Sequence, residues 1–257
     1  MNEICLSLVL GFGIFFGTIY GGDAWATEQV SKEVSGQNLI LKADLLDKKS
    51  ESLLYRFTRV EPGVGFEPTE LKKIVRTFTD PSGQIVAAEE VFYQSERLTK
   101  IVLDHKQLNE SGELEVKDDK LIFKYTRGGK QKVSEEKYDP TLTAVDQIYP
   151  TILKNWKELL QGKTIPIRLP VLDRRETVGF KFFKEKDAQL KGKDVIVIKM
   201  KPSSFFIAAI VDPILFYFDK TEIKSTNPKL IQVVGRTVPK IKEGSSWRDL
   251  DAILRFE

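Results

Sequence analysis

Cysteine is almost missing from this chain: there is one, Cys5, and it lies inside an apolar N-terminal run. Beyond that run no disulfide, thiolate metal site or cysteine nucleophile is available. Histidine is nearly as scarce, with His105 alone, so histidine-based zinc sites and a Ser-His-Asp triad have no donor set to draw on. His105, in LTKIVLDHKQLN, reads as an exposed histidine near a strand end. Walker-type, GxSxG and HExxH motifs are absent, which removes the commonest nucleotide and hydrolase readings. The one glycine-rich cluster, Gly11, Gly13 and Gly17, falls in the N-terminal apolar run. No metal or cofactor is expected.

What is present begins with that run. Residues 4–20 are apolar but short and glycine-rich for a membrane span, and Ala24-Trp25-Ala26 is a small-x-small cleavage site. A signal peptide over residues 1–26, cut after Ala26 and read by the export machinery, is the expectation; an uncleaved N-terminal anchor is the alternative. Cys5 is early in the run, not just after it, and so is not placed for lipoprotein acylation. Losing Glu3 and Asp23 and no base moves the formal charge from +3 to +5. Those charges are interspersed, which suits solubility and anionic head groups and lacks the footprint of a nucleic-acid binder.

Residues 27–52 are polar and read as a flexible arm with one weak strand or helical turn at 39–46; residues 53–257 read as a single β-rich domain. After a Pro/Gly loop at 61–68, a meander follows, punctuated by Asp80-Pro81-Ser82-Gly83 and by Arg127-Gly128-Gly129-Lys130. Val145, Ile148, Ile152, Trp156 and Leu159 then fall at helical spacing. Pro150 suits the first position of that helix, expected over 150–161, and Gly162 its end. Strands resume to the C-terminus, about a dozen in all by periodicity. The fold class is mainly β (β-rich α+β): a long antiparallel meander forming an open or flattened barrel, with one principal helix packed on it.

The stretch over 193–219, KDVIVIKMKPSSFFIAAIVDPILFYFD, organises the rest. Its strands at 195–200 and 214–218 are apolar on both faces, where a half-exposed antiparallel strand would alternate. Such strands need a cover on each side: a helix on one, a ligand or more protein on the other. Asp173 with Glu176, and Asp212 with Asp219, are the carboxylate candidates for hydrolysis, though Asp173-Arg174-Arg175-Glu176 also reads as a self-paired turn and Asp212 as a turn former. Lys120, Lys124, Arg127, Lys130 and Lys132, interleaved with Phe123 and Tyr125, could form a basic-aromatic platform, or simply a solvated hairpin tip.

Met200-Lys201-Pro202-Ser203-Ser204, Val211-Asp212-Pro213 and Gly235-Arg236-Thr237, set in this pattern of leader, meander, helix and aromatic strands, resemble exported proteobacterial domains of unknown function. The overall pattern is also similar to the lipoprotein-localisation carriers, whose half-open barrel holds acyl chains under a helical lid. The resemblance implies an open β-barrel, a periplasmic location, and a lipid or lipoprotein as cargo. It brings no catalytic residue.

The function expected is therefore non-catalytic binding of an apolar ligand, a lipid or lipid-linked molecule, in envelope maintenance. Trp156, Phe180, Phe182, Ile198, Phe216 and Phe218 are expected to line the cavity, with Lys199 or Arg236 at a head group. Phe205, Phe206, Ile207 and Ile210 would form a flap or rim. The alternatives are a scaffold or accessory subunit with an envelope protein as partner, and a carboxylate-dependent hydrolase; no nucleic acid is expected.

Overall fold

The computed structural model describes residues 39–62, 71–223 and 228–256. The expected signal peptide, residues 27–38 and most of the loop at 61–68 lie outside them. The first half is β1 (Leu39–Asp47), β2 (Leu53–Glu61), β3 (Leu71–Thr79), β4 (Ile85–Gln94), β5 (Arg97–His105), β6 (Glu110–Lys117), β7 (Lys120–Arg127) and β8 (Lys130–Lys137). A helical segment follows: a 3-10 turn at Val145–Gln147, α1 (Ile148–Lys154) and α2 (Trp156–Leu160). Then come β9 (Ile165–Val171), β10 (Glu176–Lys184), β11 (Ala188–Leu190), β12 (Lys193–Pro202), the helical turn α3 (Phe205–Ala208), β13 (Ile214–Asp219), β14 (Leu230–Glu243) and β15 (Ser246–Phe256). Among the described residues, no helix is long and apolar enough to cross a membrane.

All fifteen strands belong to one sheet, and fourteen follow a continuous antiparallel path from β8 back to β1, then through β15 down to β9, with β11 paired to β12 alone. The weak strand or turn expected at 39–46 is thus a full strand, and it lies mid-sheet between β2 and β15. The sheet begins at Leu39, inside the stretch read as an arm.

Tight turns drive the meander. Gly128 and Gly129 take the paired positive φ values, 57° and 73°, that a two-residue hairpin of this twist requires. Asp80 Oδ1 accepts from the amides of Ser82 and Gln84 at 2.9 and 3.0 Å and closes the β3–β4 turn. Strand alternation then sets the inner face, as in Ile74, Arg76 and Phe78 on β3 and Leu121, Phe123 and Tyr125 on β7.

The path ends at β8 and β9; β8 approaches the β9–β10 turn and the start of β10 without forming a ladder there. Residues of the β8–α1 connection bridge to β9, with Thr143 N donating to Arg168 O and Arg168 N to Thr141 O at 2.8 and 3.0 Å. Glu136 accepts from Thr177 N at 3.0 Å and from its hydroxyl at 2.7 Å. The barrel is therefore open, its seam held by side chains and one short bridge.

Two apolar clusters fill the inner face. Beneath β3–β7, Ile74, Ile101, Leu114 and Phe123 pack with Leu172 from the β9–β10 turn. In the other half, Ile148, Ile152, Trp156 and Leu159 of the helices meet Phe180, Phe182, Ile198 and Phe218. Trp156 and Phe218 ring centroids are 4.9 Å apart. Pro150 is the third residue of α1 and not the first; no intrahelical acceptor is needed anywhere in the first turn, so both positions tolerate it. Val195, Ile196, Val197 and Ile198 are buried in succession, so β12 is covered on both faces.

Gly235 on β14 tests this packing. A Cβ there would lie 2.7 Å from Ile214 Cγ1 and 3.1 Å from Ile214 Cα, and the latter cannot rotate away. Gly235→Ala should cost about 1–3 kcal/mol in urea unfolding; an unchanged midpoint would contradict this packing.

Candidate functional site

The inner face is not filled throughout. Between the helices and β1–β3, β13–β15 lies a cavity of about 810 Å3. Phe57, Phe78, Phe216 and Val233 give it apolar walls, and Ile148, Tyr149 and Leu153 close it from the helix side. Its lining residues Ile40, Pro150 and Lys229 are exposed, and Lys72 partly so, which places the mouth at the start of β1, β3 and β14.

Charged groups enter from β2 and β3. Arg59 and Arg76 are register partners, as are Arg76 and Glu89 of β4, so three charged side chains cross the sheet in a row. Arg76 Nη1 donates to Glu89 Oε2, and its guanidinium lies 5.5 Å from the Phe57 centroid and 5.8 Å from that of Phe78. Glu89 is fully buried, and this burial raises its pKa against the pull of Arg76. Asp146, on the 3-10 turn, accepts from Tyr93 Oη and Gln147 Nε2, both at 2.7 Å. Burial and the Asp146 charge push the Tyr93 hydroxyl well above its usual range, so it remains a donor. Nearer the mouth, Glu61 accepts from Arg59 Nη2 at 2.8 Å and lies 3.4 Å from Lys72 Nζ. Burial alone would raise the Glu61 pKa, but these two cations outweigh it and hold the carboxyl low.

Of the six side chains expected to line the cavity, the structure places Phe216 there. Trp156, Phe180, Phe182, Ile198 and Phe218 are instead packed into the helix-side core, where ring and aliphatic partners fill the space around them. Arg236 lines the cavity and is bonded to Asp251 at 2.9 Å and also to Asp249. Lys199 is elsewhere, paired with Glu185 at 2.9 Å beside the Phe183 ring. In the expected flap, Phe205 and Phe206 are each 82% exposed and Ile210 is exposed, whereas Ile207 packs on the core.

Arg59, Lys72 and Arg76 went unrecognised in the sequence. The available signal was a charged residue in the apolar phase of a strand, as in Ile74-x-Arg76-x-Phe78 and Ala87-x-Glu89-x-Val91. His105 is buried, contrary to expectation, with Nε2 at 3.1 Å from Val238 O. Phe123 and Tyr125 point inward, and Lys120, Lys124 and Arg127 pair with Glu135, Glu113 and Glu110, so the basic-aromatic platform does not form. Among the carboxylate candidates, Glu176 bonds Arg174, and Asp219 accepts from Thr221 N at 2.9 Å. Asp212 is exposed, 4.0 Å from Lys48. Asp173 is turned inward, and burial pushes its carboxyl up to about 7 against Lys240 and Arg127. Among the described residues, no group of three or more His, Cys, Asp or Glu is placed to hold a metal.

No family model matches this chain. No curated protein matches it either. Among solved structures, it is similar to the crystal structure of a beta-barrel-like protein of the domain of unknown function DUF1849 from Brucella abortus. That similarity covers 86% of this chain and 94% of the other, with 12% sequence identity and a TM-score of 0.42.

Two substitutions test the electrostatics. Arg76→Ala strands Glu89 in the interior and should cost about 3–5 kcal/mol in urea unfolding, whereas Arg76→Gln with Glu89→Gln should cost distinctly less; equal losses would show that the charges are not coupled. Asp173 has a folded pKa above its unfolded value. Its stabilising share is therefore complete below about pH 4 and is lost as pH rises through about 7. Asp173→Asn should gain on the wild type across that window and level off above it; a pH-independent difference in denaturation midpoint would rule this out.

Proposed function

We propose that this protein is an exported, non-catalytic holder of an apolar ligand, a lipid or lipid-linked molecule, acting in the periplasm. One observation carries the reading: a cavity of about 810 Å3 remains in the curled sheet after its helices have packed, with four phenylalanines, Phe57, Phe78, Phe216 and Phe256, in its walls. Small-molecule sites run to roughly 300–1,000 Å3 and are mostly apolar with a few placed polar groups. Each buried methylene contributes roughly 0.8 kcal/mol, so a chain of about ten would gain several kcal/mol beyond the cost of ordering it. Support for export comes from the leader-like residues 1–26.

The reading is tested by native mass spectrometry with lipid extraction on the mature protein from its own envelope, and by uptake of N-phenyl-1-naphthylamine. Co-purifying lipid and saturable uptake are expected. Val233→Trp fills the cavity without burying a charge, so most of the uptake should be lost while the circular dichroism spectrum is kept. A protein that is empty on purification and takes up no probe sinks the proposal.

The rings of Phe205 and Phe206, both 82% exposed and 6.2 Å apart, favour a second role at the same time, contact with an envelope protein. A photocrosslinker in place of Phe206 should then give one discrete adduct in cells, and none with the crosslinker in place of Val133 on the opposite half of the sheet. Equal labelling at both positions removes this reading.

A further inference from the structure

We infer that the ligand is a long-chain anion, its phosphate or carboxylate held by Arg59, with Lys72 and Lys229 sharing the mouth and the chain running inward over Phe57, Phe78 and Phe216. This rests on the cavity reading above and adds to it the sign of the head group.

The polar atoms around the cavity are unevenly used. The carboxylate acceptors are spoken for. Glu61 is shared by two cations, and each oxygen of Asp146 accepts a hydrogen bond. Glu89 faces Arg76 and is not in the cavity wall. The cationic donors are in surplus. Arg59 has five N–H groups, and among the described residues it gives one hydrogen bond, to Glu61. Its Nε is buried with no partner there. Arg59 lines the cavity, so an anion at the mouth would meet the remaining Nη donors of its guanidinium, and hydrogen bonds to a charged group are the stronger kind. Lys229, on the exposed side of the mouth, forms no ion pair among the described residues. Arg59, Lys72 and Lys229 thus set three positive charges at the mouth against the carboxylates of Glu61 and of Glu222, whose Oε2 accepts from Lys229 N at 2.8 Å.

The same geometry disfavours a cationic head group. Two of the aromatic rings lining the cavity, Phe57 and Phe78, already carry the Arg76 guanidinium. Arg59 and Arg76 are register partners on the inner wall, and like charges facing each other across two strands repel. An anion beside Arg59 relieves that repulsion.

The test is displacement of N-phenyl-1-naphthylamine, a neutral probe, from the full protein by decyl phosphate, decyl maltoside and inorganic phosphate. Decyl phosphate should displace it at about tenfold lower concentration than decyl maltoside, the factor that one hydrogen bond to a charged group supports. Added salt should narrow the gap. Arg59→Gln should erase the preference and leave decyl maltoside unchanged. Lys229→Gln should reduce the preference by a smaller factor.

If decyl phosphate and decyl maltoside compete equally in the wild type, the anionic head group is wrong and the apolar cavity stands. If neither competes and the probe itself does not bind, the cavity reading falls. If inorganic phosphate competes as well as decyl phosphate, the site takes a free anion and the amphiphile is excluded. Should Arg59→Gln not fold, Lys72→Gln and Lys229→Gln, on side chains at the mouth, make the same comparison; an unchanged preference in both overturns the inference.

Discussion

A sheet whose path runs through fourteen strands and curls until its edges meet encloses more space than its own side chains can fill. Barrels of about eight strands are just filled by their inward residues, and wider ones leave a lumen unless something enters it. Here two things enter. Leu172 on the β9–β10 turn plugs the half under β3–β7, and the helical segment Ile148–Leu160 plugs much of the other half. The remainder is the cavity. Helix and hairpin together therefore decide both the stability of the fold and the size of what it holds.

Why the edges meet without a complete ladder is visible in the connection between them. The chain leaves β8, breaks off its first run of hairpins, and crosses by the helices to β9 on the far edge before antiparallel pairing resumes. Thr141 and Thr143 take the backbone groups of Arg168 on β9, so the edge is covered at that point. Covered edges do not template pairing with another chain. The first and last strands, β1 and β15, meet in the middle of the sheet and tie its two halves together.

A buried ion pair adds little net stability, because desolvation offsets its attraction. The Arg76–Glu89 pair sits where the two apolar clusters meet the cavity, and its main consequence is positional. It holds the Arg76 guanidinium within 5.5 and 5.8 Å of the Phe57 and Phe78 ring centroids, fixing two cavity walls and leaving Arg59 with spare donors. In sequence these residues were visible only as charges out of phase. Ile74-x-Arg76-x-Phe78 shows that Arg76 points inward, but not that Glu89 answers it on the next strand or that Arg59 stands opposite.

Period-two alternation, glycine and aspartate turns and one helical stripe were enough to determine a long antiparallel meander with a single helical interruption, since each of these is set by neighbours a few residues apart. The apolar run of β12 likewise announced a strand covered on both faces. Local pattern also led to the wrong cavity wall: Phe180, Phe182, Ile198 and Phe218 look the same in sequence whether a helix or a ligand lies over them. Only the tertiary structure decided that α1 and α2 cover those four and leave Phe57, Phe78, Phe216 and Val233 facing open space, because that depends on where a helix between the two edges of a curled sheet comes to rest.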